Sequence, residues 1–229
     1  MLDITEYKLT VPVSRSVVCA VVSDLHDQPY GEVLAVVLEQ KPEIVLAPGD
    51  IIERWPGGQE QGLGLLSALA EKFPVFYAYG NHETGISDGI VDRIRDTGAV
   101  LLRNGSVRYG ELNIGGMTAE FRLEDETRGF LERYSAEDGV KVLLCHQPDR
   151  YFHYVKPYPI SAVVSGHAHG GQIRVFGQGL FAPQQGIFPK WTEGVHENRL
   201  VVSRGLGNHT IVPRLWNAPE VCFVTLSPD

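Results

Sequence analysis

The chain has 229 residues, 43% of them hydrophobic and 21% charged, with a formal net charge of −8. That length supports one large core, and residues 1–229 read as a single α/β domain. An acidic balance without any long basic run excludes a surface built to coat nucleic acid.

The opening MLDITEYKLT lacks the basic and apolar regions of an export signal, and no apolar run approaches the ~18 residues of a spanning helix. A cytoplasmic protein with no membrane span is therefore expected. Ser16–Val22, SVVCAVV, is the β-branched run of a strand buried on both faces, and it leads into Asp24 and His26. Gly31–Gln40 has helical spacing and stops at Lys41-Pro42. Glu43–Ala47 is a short strand entering Pro48-Gly49-Asp50, and Gln59–Lys72 reads as a helix despite its glycines. Pro74–Tyr79 is a strand ending in Gly80-Asn81-His82-Glu83, followed by a helix over Ile86–Asp96.

From Ala99 to Met117 the pattern breaks at Asn104-Gly105 and Tyr109-Gly110, which predicts hairpins and a second, partly antiparallel sheet. Glu120–Gly139 is charged, with an amphipathic helix near Gly129–Tyr134, and the strand Val140–Cys145 delivers His146. Tyr151–Pro159 is aromatic and proline-rich and reads as a loop. Ile160–Ser165 is a strand entering Gly166-His167-Ala168-His169. Gly177–Trp191 is a long Gly/Pro/aromatic loop, of the kind that is usually functional. Strands at Leu200–Ser203 and Val221–Leu226 close the chain. Cys19, Cys145 and Cys222 are odd in number, far apart and set in apolar runs, so they read as buried free thiols.

Five strand ends thus carry Asp24 and His26, Asp50, Asn81 and His82, His146, and His167 with His169; His153, His196 and His209 fall elsewhere. Taken alone, a His-x-His after a core strand is more readily a polar turn than a ligand pair. In an open α/β sheet, however, groups at the carboxyl ends of strands converge on one crevice. Imidazole mixed with carboxylate and amide oxygen suits Mn, Fe, Zn or Ni, whereas calcium prefers an all-oxygen set and structural zinc usually takes thiolate. Seven donors (all of these except His82) exceed one tetrahedral ion and suit two sharing a carboxylate. Such a site keeps a small positive charge for a phosphate, because Asn81 stands where a third carboxylate would cancel it.

Asp24-x-His26, Gly49-Asp50, Gly80-Asn81-His82-Glu83, His146 and Gly166-His167-x-His169 resemble, in order, the five motifs of the calcineurin-like metallophosphoesterases. GHAHGGQIR, GLFAPQQGIFPKW, VSRGLG and RLWNAPEV further resemble its bacterial YkuE-like phosphohydrolase branch. The resemblance implies a four-layer α-β-β-α sandwich with two mixed sheets. It implies two divalent ions, one held by Asp24, His26, Asp50 and His169, the other by Asp50, Asn81, His146 and His167. A hydroxide between them would attack the phosphorus of a small-molecule phosphomonoester or phosphodiester in line. His82 would stabilise the transition state or protonate the leaving oxygen.

The family usually reads Gly-Asp-x-x-Asp, and here the last position is Glu53, so an acid that orients His82 must accommodate an extra methylene. Arg54 stands where related phosphatases place a phosphate-contacting arginine. Two other activities remain open at this stage, a binding scaffold without turnover and a pyrophosphatase acting on a nucleotide-sugar or lipid. Another two-metal hydrolysis, of an amide, is not excluded by the ligands alone.

Overall fold

The computed structural model describes residues 1–120, 124–208 and 210–228. The stretch 121–123 of the charged segment, and His209, lie outside the described residues. Two six-stranded mixed sheets form the centre of the molecule. The first orders as β1 (Asp3–Thr10), β16 (Glu220–Ser227), β2 (Val17–Val21), β3 (Ile44–Ala47), β4 (Val75–Ala78) and β5 (Val100–Leu102). The second orders as β14 (Gly194–His196), β15 (Leu200–Val202), β9 (Ala162–Ser165), β8 (Val140–Cys145), β7 (Leu112–Met117) and β6 (Gly105–Tyr109). Strands β2 to β5 are mutually parallel, as are β7, β8, β9 and β15.

Alternation along the strands produces three separate cores and hence four layers. Val17, Cys19 and Val21 of β2 meet Ile114, Val142 and Val164 of the second sheet between the sheets. Ala20 and Val45 turn the other way, onto α1 (Gly31–Gln40), α2 (Glu60–Ala70) and α3 (Asp88–Asp96). On the far side, Leu143, Val163 and Leu200 pack against Phe130, Leu131 and Tyr134 of α4 (Glu124–Ala136). The expected α-β-β-α sandwich is the observed architecture. Cys19, Cys145 and Cys222 are free and buried. Among the described residues no helix is long and apolar enough to cross a membrane.

Four local expectations are corrected. Asn104-Gly105 makes no hairpin: β5 is the edge of the first sheet and β6 the edge of the second, so the chain changes sheet there. Of the two turns, it is the Gly110 turn that closes a hairpin, β6 with β7. Tyr151–Pro159 is not an open loop. Pro148 starts α5 (Pro148–Arg150), which continues as a wider turn over Tyr151–Val155 and buries Tyr151 and Val155. The Gly177–Trp191 loop contains paired two-residue strands, β12 (Phe181–Ala182) with β13 (Gly186–Ile187), and β11 (Gln178–Gly179) pairs β10 (Arg174–Val175). Finally β1, absent from the sequence reading, runs parallel to β16 as an edge strand with one exposed face.

Candidate metal centre

The donors leave adjacent parallel strands: Asp24 and His26 follow β2, Asp50 follows β3, Asn81 and His82 follow β4, His146 follows β8, and His167 and His169 follow β9. All seven expected ligands and His82 come together where the two sheets' carboxyl ends meet. Reaching inward this abruptly costs backbone freedom. Asp24, His26, Asp50, His167 and His169 all hold left-handed φ values, from 46° to 67°, a conformation uncommon for residues with a Cβ and recurrent at functional sites. The motif glycines answer a packing need. A Cβ on Gly80 would stand 2.1 Å from Asp50 Oδ1, and one on Gly166 would stand 2.1 Å from Asp24 Oδ2.

One group of donors is Asp24, His26 and His169. His169 Nε2 lies 3.2 Å from His26 Nε2 and 3.6 Å from Asp24 Oδ1. A second group is Asp50, His146 and His167, with Asn81 beside it. His146 Nε2 lies 3.1 Å from Asp50 Oδ2, 3.2 Å from His167 Nδ1 and 3.2 Å from Asn81 Oδ1. Asp50 Oδ2 is also 3.9 Å from His26 Nε2, so this carboxylate faces both groups.

Two ligands on one ion with bonds of ~2.0–2.2 Å stand about 3.0–3.6 Å apart at octahedral or tetrahedral angles. The spacings within each group, from 3.1 to 3.6 Å, match that arithmetic, whereas Asp50 Oδ2 and His26 Nε2, at 3.9 Å, stand slightly beyond it. Two imidazole nitrogens aimed at each other gain little without a cation between them, and the donor set fits divalent transition metals.

The surroundings fix how each group points. Asp24 accepts from the Ser23 hydroxyl at 2.5 Å and from the His167 backbone N–H at 2.9 Å. Asp50 Oδ1 accepts the His82 backbone N–H at 2.8 Å. Glu53, nearly fully buried, spans two histidines: Oε1 is 2.9 Å from His26 Nδ1 and Oε2 is 2.7 Å from His82 Nδ1. A carboxylate only accepts, so both rings carry their proton on Nδ1 and turn an Nε2 lone pair, or a second proton, toward the centre. The backbone that carries Glu53's longer side chain is held by its own loop, in which Glu53 N–H donates to the Gly58 carbonyl at 2.6 Å and Gln59 Nε2 to the Glu53 carbonyl at 2.7 Å.

Arg54 is exposed, its guanidinium carbon 5.8 Å from the Trp55 ring centroid. Trp55 in turn stands edge-on to His82 at 5.8 Å. Arg54 therefore belongs to the rim, two rings removed from the donors.

Charge follows the same plan. Burial alone would raise Asp50, but His146 beside it holds it well below the ordinary carboxylate range. Burial likewise opposes ionisation of Glu53, yet the hydrogen bonds from His26 and His82 hold it at about 2. His146 resists burial and is pushed up to about 9 by Asp50 and Asp24, whereas burial, with His26 and Arg214 adding to it, takes His169 down to about 3. His82 is raised, against its burial, by Glu53 and Asp50. The cluster thus draws positive charge onto His146, a proton that a bound cation would displace, while His169 is already neutral, as a ligand must be.

Two contributors escaped the sequence reading. Glu83, fully buried, accepts from the backbone N–H of Asp50, Ile51, Ile52 and Gly80 and from the Tyr77 hydroxyl, tying the Asp50 turn to the Asn81 turn. Its place directly after Asn81-His82 was the available signal. Gln184 from the β12–β13 turn meets His167 Nε2 through its amide oxygen, leaving Nδ1 for the centre. Nothing in the sequence joins positions 17 residues apart across such a loop.

The profile of the calcineurin-like phosphoesterases matches residues 18–171, which spans every one of these donors. The chain belongs to that family. It is accordingly a metallophosphoesterase, a phosphoric ester hydrolase. The uncharacterized metallophosphoesterase YkuE of Bacillus subtilis (strain 168) is 30% identical over 210 residues, covering 85% of this chain and 71% of that one. UDP-2,3-diacylglucosamine pyrophosphatase LpxG of Chlamydia muridarum is 32% identical over 143 residues, covering 57% of this chain and 42% of LpxG. Among solved structures, NAD nucleotidase (NadN) of Haemophilus influenzae shares the fold with a TM-score of 0.52 at 14% identity, over 67% of this metallophosphoesterase and 38% of NadN.

Proposed function

We propose that this metallophosphoesterase hydrolyses phosphomonoesters or phosphodiesters with two divalent ions. Asp24, His26, Asp50 and His169 would hold one, and Asp50, Asn81, His146 and His167 the other. The observation that carries this reading is the position of Asp50 Oδ2, 3.1 Å from His146 Nε2 and 3.9 Å from His26 Nε2, between two complete donor groups. Bound ions would supply Lewis acidity to the phosphoryl oxygens and a water acidic enough to act near neutral pH.

The chain's own groups do the rest. His82, braced on Nδ1 by Glu53, presents Nε2 toward the centre, 4.0 Å from Asp50 Oδ2. Its raised affinity for a proton suits it to stabilise charge on the transferring phosphoryl group or to protonate the leaving oxygen. Glu53 acts on the reaction through His82 and His26, as a positioning residue. Arg54, on the rim, is placed to meet a distal part of the substrate. A pyrophosphate linkage is the second reading, because LpxG is named for cleaving one.

The test is hydrolysis of p-nitrophenyl phosphate and bis-p-nitrophenyl phosphate by metal-stripped protein resupplied with Mn²⁺. Turnover that needs metal and is lost in His82→Ala supports the reading, and the preferred ester separates monoesterase from diesterase. Metal binding without turnover of any phosphoester would return the protein to the class of binding scaffolds.

A further inference from the structure

A cavity of about 230 Å³ adjoins the donor cluster and shares His169 with it. Elsewhere its wall is largely apolar: Ala168 and Ile173 flank the His169 turn, Leu180, Phe181 and Pro183 come from the hairpin loop, and Val212 from the loop before β16, next to Thr210, whose hydroxyl donates to the Val212 carbonyl at 3.0 Å. Gln172 borders it too, but its amide nitrogen is engaged by Asn208 Oδ1 at 2.8 Å and by the Val212 carbonyl. A wall with so few free polar groups holds water poorly and apolar matter well.

The two loops that wall it carry further apolar side chains, Phe176 and Trp216 lining a separate cavity beside Arg174. Among the described residues, more than half of the large apolar side chains left exposed lie in 175–188 and 211–216. Phe176 and Ile211 are fully exposed, and Trp216 and Phe188 largely so. The two loops are joined, Ile173 bridging Leu215 and Arg174 N–H donating to the Leu215 carbonyl at 3.0 Å. Scattered exposed apolar residues need no explanation, whereas a concentration of them on the loops that wall a cavity, with Phe181 and Val212 in the wall itself, points to apolar matter bound there.

We infer that the substrate is an amphiphile, a phosphoester bearing an aliphatic chain, with its phosphoryl group at the donor cluster and its chain in this cavity. The inference rests on the phosphoester reading above. His169 is the junction: its Nε2 faces Asp24 and His26, and the same residue lines the cavity. A chain attached close to the phosphorus therefore leaves water as the phosphoryl group reaches the donors.

The experiment is calorimetric binding of alkyl phosphonates, methyl through octyl, below their micellar range, to the Mn²⁺-loaded protein, alongside the p-nitrophenyl ester assays. Each buried methylene is worth about fourfold in affinity, so binding should tighten stepwise and then level off as the cavity fills. In Val212→Asp, and independently in Phe181→Ser, the octyl-to-methyl affinity ratio should fall toward one. Affinity independent of chain length, with p-nitrophenyl esters still hydrolysed, overturns the amphiphile and leaves the phosphohydrolase standing. A chain-length gain that survives in both variants puts the chain outside the cavity and also overturns it. If no phosphonate binds and no ester turns over, both readings fail.

Discussion

The two halves of the donor cluster are held by different means. In the first, His26 is braced through Nδ1 by Glu53, a buried carboxylate on a loop closed by its own hydrogen bonds. In the second, His167 is braced through Nε2 by the neutral amide of Gln184, on a hairpin whose Phe181 and Ile187 are exposed. That hairpin also walls the apolar cavity through Phe181 and Pro183. One half is therefore set by the fold itself, and the other by the same loop that walls the cavity. Outer partners of ligating histidines fix ring orientation and basicity, so the two halves should respond differently when their braces are removed.

Removing what the halves share has the largest effect. Asp50→Ala should lower turnover by more than the roughly 10–100-fold that loss of an outer partner costs. It should also abolish metal-induced stabilisation. A ligand at ~100 times its Kd adds about 2.7 kcal/mol, and at ~2–4 °C per kcal/mol for a chain of this size wild type should gain several degrees on adding Mn²⁺. A full Mn²⁺-dependent rise in the melting temperature of Asp50→Ala would sink the shared-carboxylate assignment.

Much of the fold was legible in the chain, because buried parallel strands announce themselves as continuous apolar runs, and each of the five here runs into candidate donors, three of them through Gly49, Gly80 or Gly166. The four layers follow from alternation that is hard to see in such runs, since both faces of β2 are apolar and only the structure shows Cys19 turning toward one core and Ala20 toward another. Asn104-Gly105 misled because its turn chemistry is real, with Asn104 left-handed at φ 48°, but a turn does not say which sheet the next strand joins. The contacts of Glu53 with both histidines, and of Gln184 with His167, depend on loop paths that local sequence does not encode. Strand β1 was missed because its alternation of half-buried and exposed residues is that of an edge, with little apolar signal.

Glu53→Gln sharpens the comparison from the first half. Glutamine offers one acceptor oxygen where two N–H groups, on His26 and His82, now find one each. One ring must lose its brace, and turnover should fall on the order of 10–100-fold, with metal content by elemental analysis falling if His26 is the ring released. Gln184→Ala, from the second half, removes one neutral hydrogen bond worth about 0.5–1.5 kcal/mol, so metal affinity should weaken only about two- to tenfold. A larger loss in Gln184→Ala than in Glu53→Gln would reverse the ranking of fixed and loop-borne braces.

The smallest effect should come from a brace that touches neither half. Glu220, buried at the start of β16, accepts from the Arg204 backbone N–H at 2.9 Å, the Arg204 guanidinium at 3.3 Å and the Tyr7 hydroxyl at 3.4 Å. Burial alone would raise its carboxyl, but the Arg204 backbone N–H and the Arg204 charge hold it below the usual glutamate value. A lowered folded-state pKa means that Glu220 contributes stability above about pH 4.3, its unfolded value, and loses it as pH falls through the folded one. Glu220→Gln should therefore melt a few degrees below wild type at pH 7, by about 1–2 kcal/mol. The gap should close as pH falls through that lowered folded-state value, where wild type also becomes neutral at this position, and metal affinity at pH 7 should not change. A gap of the same size at pH 7 and pH 3 would assign the loss to altered packing in place of charge, and a change in metal affinity would tie β16 to the donor cluster after all.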